Sequence, residues 1–346
     1  MPGGDGEMNG IVVCATAQEL LDALPNGVVA LVFADPPHCT GRLFRGSSGW
    51  EHGAEIAFSD RWEGGIDWSG LSERLRKVLR ALVGIYGETP QVVYAAFLGR
   101  FMESARRVLD QRGSLFLHIS LDVYHYVRVV ADAVFGKQNL RNVIVWHKTG
   151  GGRARSRFSH KYDLILWLTK GRSWRFFADA VRVPYKETSG YARSGIVARS
   201  GKRYMPHPLG TIPDDVWDIP MVNPLSSERV GYPTQKPEAL LERIVLATTQ
   251  EGDLVVDAFC GSGTTGVVSA RLGRRFILGD ASSKAVEKAS ARLARHNAVF
   301  TVCSTADIKQ YSNHLFKEGR NRRGESEGSF FHQEDLSDMQ GSQGVA

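Results

Sequence analysis

The chain has 346 residues, of which 42% are apolar and 23% are charged, as in ordinary globular proteins, so wholesale disorder is excluded. It has no run of 18 apolar residues and no basic-then-apolar signal pattern at its N-terminus. We therefore expect neither a membrane span nor secretion by that route. Four scattered cysteines without a CxxC pair predict a reducing, cytoplasmic environment, with no disulfide scaffold and no structural metal site.

Basic residues are concentrated in one part of the chain. Lys and Arg exceed Asp and Glu by 6 overall, but residues 141–205 alone contain fifteen basic and three acidic residues. That window has a net charge of +12, and the other 281 residues sum to −6. A basic segment in a mildly acidic chain indicates a polyanionic partner. The alternative is a solvated surface with no partner.

The first half of the chain alternates predicted strands and helices. Apolar runs of strand length predict four strands, at 28–34, 115–119, 143–146 and 164–168, with the last two as neighbours. Helix-spaced apolar residues predict three helices, over 71–85, 92–109 and 124–134. The segment 40–68 is rich in Gly, Ser and Trp without a clear period, and it predicts a loop.

The second half begins with an irregular segment and then returns to the same alternation. Six prolines and many Gly and Ser residues in 171–230 predict a loop-rich insert, in which aromatic residues near Trp174 form a small core. A helix is predicted to begin near Pro237. It is followed by a strand at 254–258, a helix at 265–272 and a strand at 276–278. This alternation predicts an α/β fold with a Rossmann-like, mostly parallel sheet. The tail from 318 is predicted to be disordered.

A glycine-rich turn, Phe259-Cys260-Gly261-Ser262-Gly263-Thr264-Thr265-Gly266, lies between a predicted strand and a predicted helix. Glycines allow a sharp turn and close approach to a ligand, and the helix N-terminus offers free N–H groups. Asp280, at the end of the next strand, can hold the ribose hydroxyls of an adenosine-containing cofactor. The pattern fits a nicotinamide or flavin enzyme, an S-adenosylmethionine enzyme, or tight packing without a ligand. Its late position in the chain favours the second, and no P-loop is present.

The second motif is Asp35-Pro36-Pro37-His38, which follows the strand 28–34 and should lie at the carboxyl edge of the sheet. Asp35 and the carbonyl of Pro36 form a pair of acceptors suited to an –NH₂ group. Holding both hydrogens of that amine would orient its nitrogen lone pair toward an electrophile. His38 offers a flat ring for stacking on a base. The alternative is an ordinary proline turn with a solvated Asp35.

Together with Tyr232-Pro233-Thr234-Gln235-Lys236-Pro237, these two motifs resemble those of the DNA amino-methyltransferases, over roughly residues 28–300. Three weaker blocks, at 101–118, 134–146 and 158–169, add to the resemblance. The order of catalytic motif, recognition region and cofactor motif is similar to that of the beta group, whose chains are permuted relative to ordinary methyltransferases.

The resemblance implies a methyltransferase fold and assigns roles to individual residues. The chain would begin with a flexible N-terminus (1–10) and a catalytic half (11–170). A target-recognition insert (171–230), a cofactor-binding half (231–310) and a disordered tail (318–346) would follow. Asp35 and Pro36 would bind the target amine, beside Pro37, and His38 would replace the usual stacking Tyr, Phe or Trp. S-adenosyl-L-methionine would contact Asp35, Gln235, Lys236, Pro237, Asp257, Phe259, Cys260, Gly261, Ser262, Gly263, Thr264, Thr265 and Asp280, with Gln235, Lys236 and Pro237 at its methionine end and Asp280 on its ribose.

The implied reaction is direct methyl transfer to the N6 of an adenine flipped out of double-stranded DNA, without a covalent protein intermediate. Asp as the first residue of the motif favours adenine over the N4 of cytosine. DNA phosphates would contact Arg153, Arg155, Arg157, Lys161, Arg193, Lys202 and Arg203. A homodimer and a cognate restriction enzyme are further implied partners. An inactive DNA-binding module, for which His38 is the main support, and an RNA target are the alternatives.

Overall fold

The computed structural model describes residues 8–45, 56–148, 154–312 and 330–332. The strands are β1 (Gly10–Cys14), β2 (Val29–Ala34), β3 (Leu43–Arg45), β4 (Ile56–Ser59), β5 (Leu109–Ile119), β6 (Leu140–His147), β7 (Tyr162–Thr169), β8 (Ser173–Arg175), β9 (Ile196–Val197), β10 (Arg203–Tyr204), β11 (Val216–Asp218), β12 (Leu254–Asp257), β13 (Arg275–Asp280), β14 (Phe300–Cys303) and β15 (Phe330–His332). The α-helices are α1 (Ala17–Ala23), α2 (Glu73–Tyr86), α3 (Pro90–Val108), α4 (Tyr124–Phe135), α5 (Gly190–Ser194), α6 (Glu238–Thr248), α7 (Thr264–Arg271) and α8 (Ser283–Arg295).

A nine-stranded sheet in the order β11-β6-β7-β5-β2-β12-β13-β1-β14 forms the centre of the fold. Strand β7 is antiparallel to β5 and β6, and the other neighbouring pairs of the sheet are parallel. The predicted mostly parallel α/β sheet is thus confirmed, and so is the pairing of the strands predicted at 143–146 and 164–168. Because β7 alone runs backwards, the other strands end at one common edge, where β7 begins.

Strand β2 shows why the apolar runs form buried strands. All six of its residues are buried. Val32 and Ala34 pack into the core on one face of the sheet, whereas Leu31 and Phe33 pack into the core on the other. Helices α1 to α4 supply the first face, and α6 contributes to the second. A strand covered on both faces has no polar side to alternate with, which produces the continuous apolar sequence.

The three helices predicted in the first half are present as α2, α3 and α4. The segment 40–68, predicted as a loop, is partly wrong, because β3 and β4 pair as an antiparallel hairpin. These strands have three and four residues, too few to show a period in the sequence. Residues 46–55, between the two strands, lie outside the described residues.

The segment 171–230 is irregular as predicted, but it is joined to the rest of the fold. Strand β11 extends the central sheet beside β6. Trp174 packs on the face of that sheet with Trp167 and Trp217, so the separate small core predicted for this segment is wrong. Arg175 is buried and pairs with Asp110 through two hydrogen bonds of 2.8 and 3.0 Å, because a guanidinium matches a carboxylate in this planar geometry.

The two chain ends differ in part from their predictions. The predicted flexible segment 1–10 includes Gly10, which begins β1, and Asn9, whose backbone bonds Val299 and Phe276 at 2.9 and 3.0 Å. Residues 1–7 lie outside the described residues. So does the predicted disordered tail 318–346, except for β15, which pairs with β8. No described helix has the length and apolar character needed to cross a lipid bilayer.

Candidate active site

Both predicted motifs lie at the common edge where the parallel strands end. Asp35 follows β2, and Asp257 and Asp280 are the last residues of β12 and β13. Since β2, β12 and β13 are adjacent parallel strands, their carboxyl ends converge in space. Open α/β folds bind ligands at this edge. The alternating pattern thus brings together residues that are more than 200 positions apart in the sequence.

A cavity of about 500 Å³ opens at this edge. It is lined by nearly all the residues predicted for catalysis and cofactor binding: Asp35, Pro36, Pro37, His38, Gln235, Lys236, Asp257, Phe259, Cys260, Gly261, Ser262, Thr264, Thr265 and Asp280. The cavity also has an aromatic wall, whose side chains have no role assigned from the sequence: Phe44, Phe58, Trp62, Phe97 and Tyr232. Phe44 and Phe58 stack with ring centroids 4.6 Å apart, so the β3–β4 hairpin forms one side of the cavity. Its volume is in the range that holds a small-molecule ligand.

Asp35 is surrounded by cationic and nitrogen-bearing side chains, and the alternative of a solvated aspartate is therefore wrong. Lys236 donates to its Oδ2, and its Oδ1 lies 2.5 Å from Nδ1 of His118 and 3.4 Å from Nε2 of His38. Burial by itself would raise the pKa of Asp35, but Lys236 and His118 hold that pKa well below its usual range. Asp35 is therefore a carboxylate at neutral pH.

His38 is held by the carboxylate in its own motif. Its ring meets that of His118 edge to face, with centroids 4.6 Å apart and planes at 84°. Burial lowers the pKa of His38, although its hydrogen bond to Asp35 acts in the opposite direction. A neutral imidazole results, so the ring offers a flat surface without adding a charge to the site.

Asp60, which sequence analysis missed, fixes the chain after the proline turn. Its buried carboxylate accepts hydrogen bonds from the backbone N–H groups of Cys39 and Thr40 at 2.6 and 2.8 Å. Cys39 has a φ of 59°, a strained conformation for a residue with a side chain, and these contacts hold it. No sequence signal identified Asp60, because it lies in a segment without a period.

The glycine turn has the sharp backbone turn that its sequence predicted, and two of its glycines pack closely against other residues of the protein. Gly261 has a φ of 48°, and a Cβ there would lie 2.9 Å from the ring of Tyr232. Gly263 has a φ of 75° and caps α7, where a Cβ would lie 2.8 Å from that of Ala289. Gly263 itself does not line the cavity. Gly261 therefore shapes the cavity, and Gly263 allows α8 to pack closely behind the turn.

Two carboxyl groups hold this turn in place. Asp280 accepts from the N–H of Gly261 at 2.9 Å, and burial raises its pKa. Asp257 accepts from the Phe259 N–H at 3.0 Å and the Thr265 hydroxyl at 2.5 Å. Burial raises the pKa of Asp257 to about 7, because neither partner carries a positive charge. Both Asp280 and Asp257 line the cavity beside the turn.

The segment Gln235-Lys236-Pro237, predicted to contact the methionine end of the cofactor, makes several contacts within the protein, and its contact with the cofactor stays a prediction. Gln235 uses its amide within its own loop, accepting from Val230 N at 2.9 Å and donating to Glu228 O at 2.6 Å. The Lys236 ammonium donates to Asp35 and, at 3.1 Å, to the carbonyl of Thr234. Pro237 precedes α6 and does not line the cavity.

A family model described as "DNA methylase", for N6 and N4 methyltransferases, matches residues 29–291. The chain belongs to this family. It is similar to the DNA adenine methyltransferase YhdJ of Escherichia coli (strain K12), with 30% identity over 79% of each chain. It is also similar to the type II methyltransferase M.BglII of Bacillus subtilis, with 35% identity over 54% of this chain and 53% of that one. The solved PvuII DNA methyltransferase (cytosine-N4-specific) shares the fold, with a TM-score of 0.55, 16% identity and coverage of 89% and 93%.

The predicted recognition of the amino-methyltransferase family is thereby confirmed, and the chain is a DNA methyltransferase. The family match begins at the first residue of β2 and ends within α8, so it includes both motifs. The cysteines near the site are not set up as nucleophiles. Burial raises the pKa of Cys39 to about 11 and that of Cys260 well above its usual value, so both remain thiols.

The residues predicted to contact DNA lie in two parts of this methyltransferase. Arg155 and Arg157 are exposed in the connection between β6 and β7, and Lys161 is half-buried there. Arg153 lies outside the described residues. Arg193, Lys202 and Arg203 are exposed on a small unit made of α5 and the β9–β10 hairpin, in which Tyr191 OH donates to Met205 O at 2.9 Å.

Proposed function

We propose that this protein methylates the exocyclic N6 of adenine in double-stranded DNA, using S-adenosyl-L-methionine as the methyl donor. The observation that carries the proposal is the single cavity lined by both Asp35 and the glycine turn. Similarity to a protein named as a DNA adenine methyltransferase over 79% of the chain supports adenine. A target base lies inside the duplex, so it must be flipped out to reach Asp35, at a cost of a few kcal/mol.

The residues of the cavity fit an adenosine-containing cofactor. Gly261 leaves room beside Tyr232, the aromatic wall offers apolar surface, and the Asp280 carboxylate can accept hydrogen bonds from ribose hydroxyls. S-adenosyl-L-methionine, when bound, supplies an electrophilic methyl group. The ammonium of Lys236 has three N–H donors, of which Asp35 and the Thr234 carbonyl take two, so its predicted contact with the methionine end stays a prediction.

Asp35 keeps the capacity to accept from the target amine. A carboxylate has about four acceptor sites. Two nitrogens lie near Oδ1 and one near Oδ2, which leaves Oδ2 able to accept from the amine. With the Pro36 carbonyl as the second acceptor, the amine is held by both hydrogens and its lone pair faces the methyl group. The neutral ring of His38 can stack on the flipped base.

The decisive experiment is methyl transfer from labelled S-adenosyl-L-methionine to unmethylated genomic DNA, followed by mass spectrometry of the nucleosides. N6-methyladenine is the expected product, and the Asp35→Asn variant provides the negative control. Detection of N4-methylcytosine would identify cytosine as the target base and leave the proposed mechanism unchanged. Label found in RNA alone would identify RNA as the substrate. Cofactor binding without methyl transfer to DNA or RNA would indicate an inactive module.

A second experiment tests the predicted DNA contacts. Replacing Lys202 and Arg203 by Ala should lower the slope of log Kd against log salt by about 1.8, since each phosphate contact contributes about 0.9. The matched control replaces Lys77 and Arg80 by Ala, which removes the same charge from the exposed surface of α2. An equal change of slope in both variants would mean that the effect is one of net charge and that the hairpin does not bind DNA. The homodimer, the restriction enzyme partner, the cytoplasmic location and the domain boundaries remain predictions.

A further inference from the structure

His118, on β5, is a buried histidine to which neither motif assigns a role. It is 1% exposed, and both of its ring nitrogens face carboxylates. Nδ1 lies 2.5 Å from Oδ1 of Asp35, and Nε2 lies 3.2 Å from Oδ2 of Asp163, a residue of the neighbouring strand β7. Lys148, just after β6, donates to the same oxygen of Asp163 at 2.5 Å. Three strands therefore contribute to one chain of contacts that ends at Asp35.

Both carboxyl groups of this chain of contacts are ionised. Burial alone would raise the pKa of Asp163, but His118 and Lys148 lower it, and the pKa of Asp35 is lowered by Lys236 and His118. Ionised carboxylates can only accept hydrogen bonds, and each of the two faces one ring nitrogen of His118. His118 thus links the carboxylate of Asp35 to a second carboxylate behind it.

We propose that His118, held from behind by Asp163, is a positioning residue that keeps the Asp35 carboxylate ionised and fixed in its orientation toward the target amine. The proposal rests on the proposed function, because the amine is the ligand that Asp35 receives there. Asp163 fixes the ring in the way that an outer carboxylate fixes a catalytic or metal-bound histidine. His118 does not line the cavity, so its effect on the target base would pass through Asp35 and through the ring of His38, which it contacts edge to face.

The surroundings of Asp35 determine what the loss of His118 would do. The titratable side chains that face Asp35 or interact with it electrostatically are His38, Tyr94, His118, Tyr232, Lys236 and Asp257. Lys236 would still favour the carboxylate, but burial and the neighbouring Asp257 would oppose the ionisation of Asp35. The pKa of Asp35 should therefore rise when His118 is replaced. Since transfer requires the carboxylate, the acid limb of kcat should move to higher pH.

The test compares His118→Gln with His147→Gln in the full-length protein. His147 also forms a His–Asp pair, with Nδ1 2.9 Å from Asp218, but this pair is exposed. His118→Gln should lower kcat at pH 7 by about 10- to 100-fold with little change in KM for DNA or cofactor. The acid limb of its kcat–pH profile should move to higher pH by about 1–3 units. Asp163→Asn should also lower kcat and move the acid limb to higher pH, but by smaller amounts than His118→Gln. His147→Gln should behave like the wild type.

A readout without catalysis separates this proposal from the proposed function. In protein labelled with ¹³C at the aspartate carboxyls, the Asp35 signal is assigned by its loss in Asp35→Asn. Its titration midpoint should rise in His118→Gln and Asp163→Asn but not in His147→Gln. A lower kcat with an unchanged pH profile and unchanged midpoint would overturn the proposal and leave a structural role. A wild type that methylates no base would overturn the proposed function, and the midpoint would still decide whether His118 keeps Asp35 ionised.

Discussion

Replacing Asp35 by Asn should lower the rate of methyl transfer by on the order of 10²- to 10³-fold, the effect expected when one preorganised polar contact at the reacting group is lost. The substitution keeps the size of the side chain but removes its charge. The amide also presents an NH₂ group where Lys236 and the target amine both need an acceptor. Binding of cofactor and DNA should change little, because other residues supply those contacts. Single-turnover transfer of a labelled methyl group measures the rate.

Asp218→Asn is the matched control for this variant. Asp218 also lies at the carboxyl end of a strand of the central sheet and pairs with a histidine, but its side chain is 73% exposed. This control should transfer methyl groups at the wild-type rate. Wild-type transfer by Asp35→Asn would show that another group receives the amine. Asp35→Ala should abolish transfer as well, but Asn is the sharper test, since Ala leaves a cavity next to Lys236.

Replacing Arg292 by Met should lower the free energy of unfolding by about 3 kcal/mol, which is the lower end of the cost of removing one partner from a buried ion pair. Arg292 lies on α8 and is 1% exposed. Its guanidinium donates to Glu238 on α6 at 2.7 Å and to the hydroxyl of Thr264 at 2.8 Å. Without it, Glu238 keeps only the half-exposed Arg271 as an ionic partner among the described residues. The stem of Met fills part of the space, so the main loss is electrostatic.

Arg295→Met, three residues further along the same helix, is the control for Arg292. The side chain of Arg295 is exposed, and its loss should change the unfolding free energy by no more than about 0.5 kcal/mol. Urea unfolding of the two variants gives the difference through their midpoints. Equal midpoints would mean that the contacts of Arg292 with Glu238 and Thr264 add nothing to stability. A large difference would identify Arg292 as the link that holds the glycine turn against α6.

Both motifs were predictable because their signals are local. The run that forms β2 is apolar throughout and stops at Asp35, so the sequence places that residue at a strand end. The glycine turn likewise stands between a strand and a helix, and the φ values of Gly261 and Gly263 are ones that favour glycine. Because the strands that carry the two turns are parallel, their carboxyl ends lie at the same edge of the sheet, and the two turns come together there.

The partners of Asp35 were not predictable in the same way. Lys236 is 201 residues away in the sequence, and His118 is 83 residues away. Lys236 was assigned to the cofactor because of its motif, and His118 carried no assignment. A buried charged residue has no periodic pattern, since its position is determined by one distant partner and not by its neighbours. The β3–β4 hairpin was missed for a related reason, because a strand of three or four residues is too short to show alternation.

The amino-acid sequence alone predicts an α/β protein with two candidate ligand-binding turns at strand ends, and it indicates the methyltransferase family. Those features depend on backbone preferences and on apolar periodicity, which a single chain displays along its length. Only the tertiary structure decided which charges surround Asp35, which arginine is buried against α6, and that β11 completes the central sheet. These depend on pairwise contacts across the fold. Their free energy comes from removing both partners from water together, which neither residue reveals alone.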